Sequence, residues 1–123
     1  MLKLLRWLSA LAYIGGLTLL LVADFPQEGV RIPQLDKLGH FLAFALLAVL
    51  LLRAMTPPRY VRPALWACLT AIAVATTYGV LMEFVQIQAG RGFEIADMLA
   101  DTLGAVVGIL LWTHYRKRFL FIR

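Results

Sequence analysis

The chain has 123 residues, of which 62% are hydrophobic and 15% charged, with a mean hydropathy of +0.82 and a formal net charge of +5. Such a composition excludes an ordinary water-soluble domain and points to a chain that sits in a bilayer. The basic surplus does not read as a nucleic-acid surface, because it gathers at one end of the apolar spans, where anionic lipid headgroups are its natural partner.

Four apolar segments can be marked, at 4–23, 38–55, 64–86 and 95–114, each near the roughly 20 residues that cross a hydrocarbon core of about 30 Å. They leave no stretch for a soluble domain or linker, and no repeat at a fixed period is visible. The expected architecture is all-α: one integral-membrane domain over 1–123, folded as a four-helix transmembrane bundle. Lys3, Arg6, Arg53, Arg59, Arg62, Arg116, Lys117, Arg118 and Arg123 fall on the side shared by both termini and the middle loop, whereas only Arg31, Lys37 and Arg91 fall on the other. By the positive-inside rule both termini are then cytoplasmic and the chain is a multi-pass protein of the bacterial cytoplasmic (inner) membrane. All seven acids, Asp24, Glu28, Asp36, Glu83, Glu94, Asp97 and Asp101, lie toward the outer side.

The first segment follows Met1, Lys3 and Arg6 and so resembles a signal peptide, but its apolar run exceeds an ordinary h-region of about 7–15 residues and a retained helix is expected. Tyr13, Gly15, Gly16 and Thr18 are its candidates for packing against neighbours. Pro26, Gly29 and Pro33 then interrupt any helix. A second helix starting near Asp36 places Asp36 in the N-cap region and His40 one turn on, on the same face. A cap and a buried histidine with a satisfied hydrogen bond would account for them without any function. From His40 to Arg53 is thirteen residues, about 20 Å of helix, so a histidine at that depth needs partners.

The third segment starts after Pro63, with Trp66 near the interface and Cys68 as an inert packing thiol. With one cysteine no intrachain disulfide exists, so the redox compartment is not readable. At its far end Gly79, Glu83 and Gln86 share a face. The short glycine-containing loop at 89–92 implies a hairpin into the fourth helix, with Arg91 a counter-charge for Glu83 or Asp97. In that fourth helix Asp97, Asp101, Gly104 and Gly108 recur at steps of four, three and four, so two carboxylates and two glycines form one stripe. Carboxylates at membrane depth face protein or water rather than lipid, and glycines so spaced let a neighbouring helix come close. Asp101 lies eleven residues from Trp112, about 17 Å, which puts it level with His40. An outward-facing vestibule lined by Asp36, Lys37, His40, Glu83, Gln86, Arg91, Asp97 and Asp101 is the expected polar site, with Gly104 and Gly108 as the packing positions.

The run DKLGHF at 36–41, the E-x-x-Q of Glu83 and Gln86, the pair Gly90 and Arg91, and D-x-x-x-D-x-x-G-x-x-x-G from Asp97 to Gly108 together resemble the VanZ-like family of small bacterial membrane proteins. The family pattern usually has Asn where this chain has Asp101, which makes the site more negative. The resemblance implies a cell-envelope protein, the family's founding member being linked to resistance to the glycopeptide antibiotic teicoplanin, and it supplies no reaction.

Three classes of function fit these residues. One is a binding protein that recognises the headgroup of a membrane lipid or of a lipid-linked cell-wall precursor; the surplus of carboxylates suits a cationic, zwitterionic or metal-bridged group better than a naked phosphate. A second is a membrane enzyme in which carboxylates and His40 hold a hard divalent ion and activate water; no signature names a catalytic residue, and no cofactor is established by the sequence. The third is a small transporter or proton relay. Four-helix multidrug transporters of similar length carry their essential acid in the first helix, and this chain has none there.

Overall fold

A hydrocarbon environment offers the backbone no water, so each span must satisfy its own N–H and C=O groups, and the chain does so with helices. The computed structural model describes residues 1–22, 33–57, 59–60, 62–88, 90, 92 and 94–121. It contains α1 (Leu2–Val22), α2 (Pro33–Met55), α3 (Leu65–Gln88) and α4 (Ile95–Phe121). All four are long and apolar enough to cross a membrane. The sequence expectation of an all-α bundle of four spans therefore holds.

The boundaries differ in two instructive places. The second helix begins at Pro33 rather than near Asp36, because proline suits the first helical position, where its missing N–H costs nothing. Asp36 is thereby an exposed residue of the first turn and not an N-cap. The fourth helix continues past 114 to Phe121, giving a rod of about 40 Å that outruns the hydrocarbon core.

The helices alternate in direction. At the end carrying both termini, Arg6 Nη1 donates to the carbonyls of Arg53 (3.3 Å) and Thr56 (3.0 Å), and Arg116 Nη2 donates to the carbonyl of Pro57 (3.2 Å). Two guanidiniums from α1 and α4 thus serve the free carbonyls at the end of α2, where positive charge also suits the helix dipole. At the opposite end Gln86 Nε2 donates to the carbonyl of Leu21 at 3.2 Å, tying α3 to the last turn of α1. In between, the Tyr13 hydroxyl donates to the Ala43 carbonyl (2.7 Å), and the hydroxyls of Thr18 and Tyr78 meet at 2.8 Å.

The parallel pair α2 and α4 forms the centre. A Cβ on Gly104 would fall on the backbone carbonyl of Phe41, and one on Gly108 would lie 2.6 Å from the Ala45 carbonyl oxygen. Only glycine lets the two main chains approach this closely. Phe44, Leu47, Leu52, Ala105 and Ile109 fill the core around the seam, and α3 closes it with Ala67, Ala71, Ala75 and Gly79, one small residue per turn. The first helix is peripheral, burying only Ala10 and Leu17. Gly15 and Gly16, expected at a contact, are exposed with nothing near them.

Candidate functional site

Because α2 and α4 run in the same direction, their polar first turns lie side by side. Asp36, Lys37 and His40 come from α2 at helical spacing, and Asp97 and Asp101 from α4, held against α2 by the glycines one turn deeper. His40 Nδ1 lies 2.9 Å from Asp101 Oδ1, and His40 Nε2 lies 4.0 Å from Asp97 Oδ2. Lys37 Nζ sits 3.3 Å from Glu94 Oε2 and 3.8 Å from Asp97 Oδ1. Arg53 lies over the Trp112 ring at 5.5 Å, so the two residues that served as depth marks are neighbours, just as His40 and Asp101 are.

Third-helix residues complete the enclosure. Glu83 is 2% exposed, and its Oε2 accepts the backbone N–H of Glu94 at 3.4 Å. Asp101 is equally buried. Its Oδ2 occupies the space that a side chain at Gly79 would take, 2.8 Å from a Cβ built there. Below it the Phe44 ring stacks on His40 with centroids 6.4 Å apart. The floor of the site is therefore apolar, and the imidazole is fixed between a ring and a carboxylate.

The expected residues divide as follows. Lys37, His40, Asp97 and Asp101 are in one connected set, with Asp36 at its exposed edge. Glu83 joins through the Glu94 backbone. Gln86 is buried, but its amide is spent on Leu21 and it has the character of a tether between helices. Arg91 lies outside the described residues; among those described, Lys37 stands near Asp97 as a counter-charge. Glu94, counted among the acids but not assigned to the site by the sequence reading, contributes both its side chain and its N–H. Its position immediately before Ile95, the first residue of α4, was the available signal, since acids gather at helix starts.

Chemically, the set has one feature of a binding site and one of a metal or acid–base site. Asp97 is 7% exposed, and its Oδ1 is buried with no hydrogen-bond partner among the described residues. An unsatisfied buried acceptor costs about 1–3 kcal/mol, more if ionised, so a donor or cation arriving there is favoured. The second feature is the direction of His40. With Nδ1–H given to the Asp101 carboxylate, Nε2 is turned toward Asp97, and in the neutral imidazole it carries the lone pair there, which is how second-shell carboxylates orient ligating or basic histidines. One ligand atom each from Asp36, His40 and Asp97 lies within 4.8 Å of the others, a spacing that could accept an ion. Named carboxylates outnumber named cations here, which opposes a bare anion.

The family model for VanZ/LLP1 matches residues 4–120, nearly the whole chain. No curated protein and no solved structure matches it.

Proposed function

The chain belongs to the VanZ/LLP1 family, and from that premise we propose that it is a binding protein of the bacterial cytoplasmic membrane, with both termini in the cytoplasm and one domain over its length. Its polar site takes the headgroup of a membrane lipid or of a lipid-linked cell-wall precursor at the outer leaflet, in the setting where glycopeptide resistance phenotypes arise. The observation that carries this reading is Asp97 Oδ1, a buried carboxylate oxygen without a hydrogen-bond partner among the described residues, within a set rich in acids. A primary ammonium matches it best, since that group brings both positive charge and N–H donors. The Lys37 ammonium 3.8 Å from the same oxygen supports this choice of group.

The test uses the purified protein in nanodiscs of phosphatidylglycerol, doped with phosphatidylethanolamine or with phosphatidylcholine, whose quaternary ammonium has no N–H to give. Phosphatidylethanolamine should raise thermal stability in a saturable way, phosphatidylcholine should not, and Asp97→Asn should erase the difference. Equal responses to both lipids in the native protein would end the reading. Addition of a muropeptide-bearing undecaprenyl lipid tests the cell-wall precursor in the same format.

A second reading, a metal-assisted membrane enzyme, is favoured by one specific observation. The Asp101–His40 hydrogen bond leaves Nε2 available beside Asp36 and Asp97. Manganese binding, followed by its electron paramagnetic resonance signal and lost in His40→Gln, would support that reading over the first.

A further inference from the structure

At the end of the bundle that carries both termini, the helices leave a cavity of about 250 Å³ between the start of α1 and the end of α2. Leu2, Lys3, Arg6, Met55 and Thr56 are among its walls. We propose that this cavity is a second binding site, which holds the phosphate of an anionic phospholipid in the leaflet facing the termini. It is independent of the outer site and of any reading given to that site.

Charge is the first argument. The described acids all lie at the opposite end, and among the described residues Lys3, Arg6, Arg53 and Arg62 form no ion pair with a carboxylate. Their counter-charge must come from outside the described protein. Arg6 is, moreover, a fixed donor and not a waving one: its Nη1 is anchored on the Arg53 and Thr56 carbonyls, which sets the plane of the guanidinium and leaves its other N–H groups for an acceptor.

The second argument is Thr56. It is 4% exposed, its Oγ1 has no hydrogen-bond partner among the described residues, and it stands in the wall shared with an adjoining cavity of about 360 Å³. A buried hydroxyl without a partner is rare unless a ligand or water uses it. Thr56 shares the cavity wall with Lys3 and Arg6, and a turn of its side chain toward that wall would give the hydroxyl a phosphate oxygen to donate to.

Shape argues for a lipid rather than a free phosphate. The cavity is smaller than the roughly 300–1,000 Å³ of typical small-molecule pockets, so it fits a headgroup phosphate and not a whole amphiphile. Its apolar walls are Leu2, Ala54 and Met55, and Leu2 is itself exposed on the outside of the bundle, where an acyl chain can lie. Anionic amphiphiles satisfy both halves at once.

The experiment titrates the purified full chain in neutral detergent at 150 mM salt with phosphatidylglycerol, phosphatidylcholine of the same chain length, or inorganic phosphate, reading bound lipid by native mass spectrometry and stability by thermal unfolding. Phosphatidylglycerol should bind saturably and stabilise, and the other two should not. Lys3→Gln, an exposed change that leaves the fold intact, should weaken it about fivefold, the worth of one basic residue near an anionic headgroup. Thr56→Val, which keeps shape and removes the hydroxyl, should weaken it as well. Arg59→Gln, at the same end but outside this cavity, should stay within about twofold of the native affinity, because at this salt an exposed charge that does not touch the headgroup is largely screened. Equal stabilisation by phosphatidylcholine or by inorganic phosphate would overturn the proposal. So would equal losses in Arg59→Gln and Lys3→Gln, which would mean diffuse attraction, or native affinity in both Lys3→Gln and Thr56→Val.

Discussion

Replacing Gly104 with alanine adds one methyl group to the seam between α2 and α4, and the structure fixes what that methyl meets. The new Cβ falls on the main-chain carbonyl of Phe41, with the Phe41 carbon at 2.9 Å and its Cα at 3.0 Å. These are backbone atoms, so no rotamer change relieves the clash and the helices must separate. Overpacking typically costs about 1–3 kcal/mol, and an obstacle made of main chain places this case at about 3. Alanine returns about 0.5–1 kcal/mol through its better helix propensity, leaving a net loss of about 2. Gly16→Ala is the matched control, because a Cβ there has nothing within 4 Å and the residue is exposed on α1. It gains the propensity term alone, so two identical chemical changes should differ by about 3 kcal/mol, roughly two decades in the unfolding equilibrium. Reversible unfolding in mixed micelles, titrated with sodium dodecyl sulfate, measures both. If Gly104→Ala proves as stable as Gly16→Ala, the close approach of α2 and α4 is wrong.

Gly79→Ala should disturb the polar site without removing a polar group, since its methyl would press on Asp101 Oδ2 at 2.8 Å; an unchanged His40 nitrogen resonance pattern would contradict this. Asp101→Asn keeps an oxygen that can accept Nδ1–H, so it should preserve the His40 tautomer and the folded yield, whereas Asp101→Leu should lose both; nitrogen NMR of labelled histidine decides. Tyr13→Phe removes the hydrogen bond to the Ala43 carbonyl and should cost about 1 kcal/mol in the same unfolding assay, an outcome refuted by native stability. Impermeant thiol reagents applied from outside the cell should fail to label Arg59→Cys and should label Gly92→Cys; the reverse pattern would invert the orientation assigned from basic residues.

The parts of this fold that sequence reveals are those governed by helical period and bilayer thickness. Asp97, Asp101, Gly104 and Gly108 announce a shared stripe through spacing alone, and counting residues inward from Arg53 and Trp112 brings His40 and Asp101 to one level before any coordinates exist. What spacing cannot reveal is the partner across a gap. Gln86 shares a face with Glu83, yet its amide goes to a main-chain carbonyl at the end of α1, and carbonyls carry no mark in a sequence. Glu94 joins the site partly through its N–H, which every residue but proline possesses. Gly15 and Gly16 have the composition of a contact and face none, because which side of α1 turns inward is decided by Tyr13, Leu17 and Thr18.

The pairing of α2 with α4 rather than with its neighbour in sequence has a consequence for how the chain is made. Asp101 reaches the bilayer 61 residues of synthesis behind His40. At about 5–20 residues per second the ribosome needs roughly 3–12 s to supply it. Throughout that interval α2 carries Lys37 and His40 with neither of their α4 carboxylates, and its Phe41–Ala45 backbone has no glycine seam to rest against. A nascent chain stalled there presents ionisable groups to lipid or to the insertion machinery. Slowing translation between α3 and α4 should therefore raise degradation of this protein more than the same pause placed between α1 and α2.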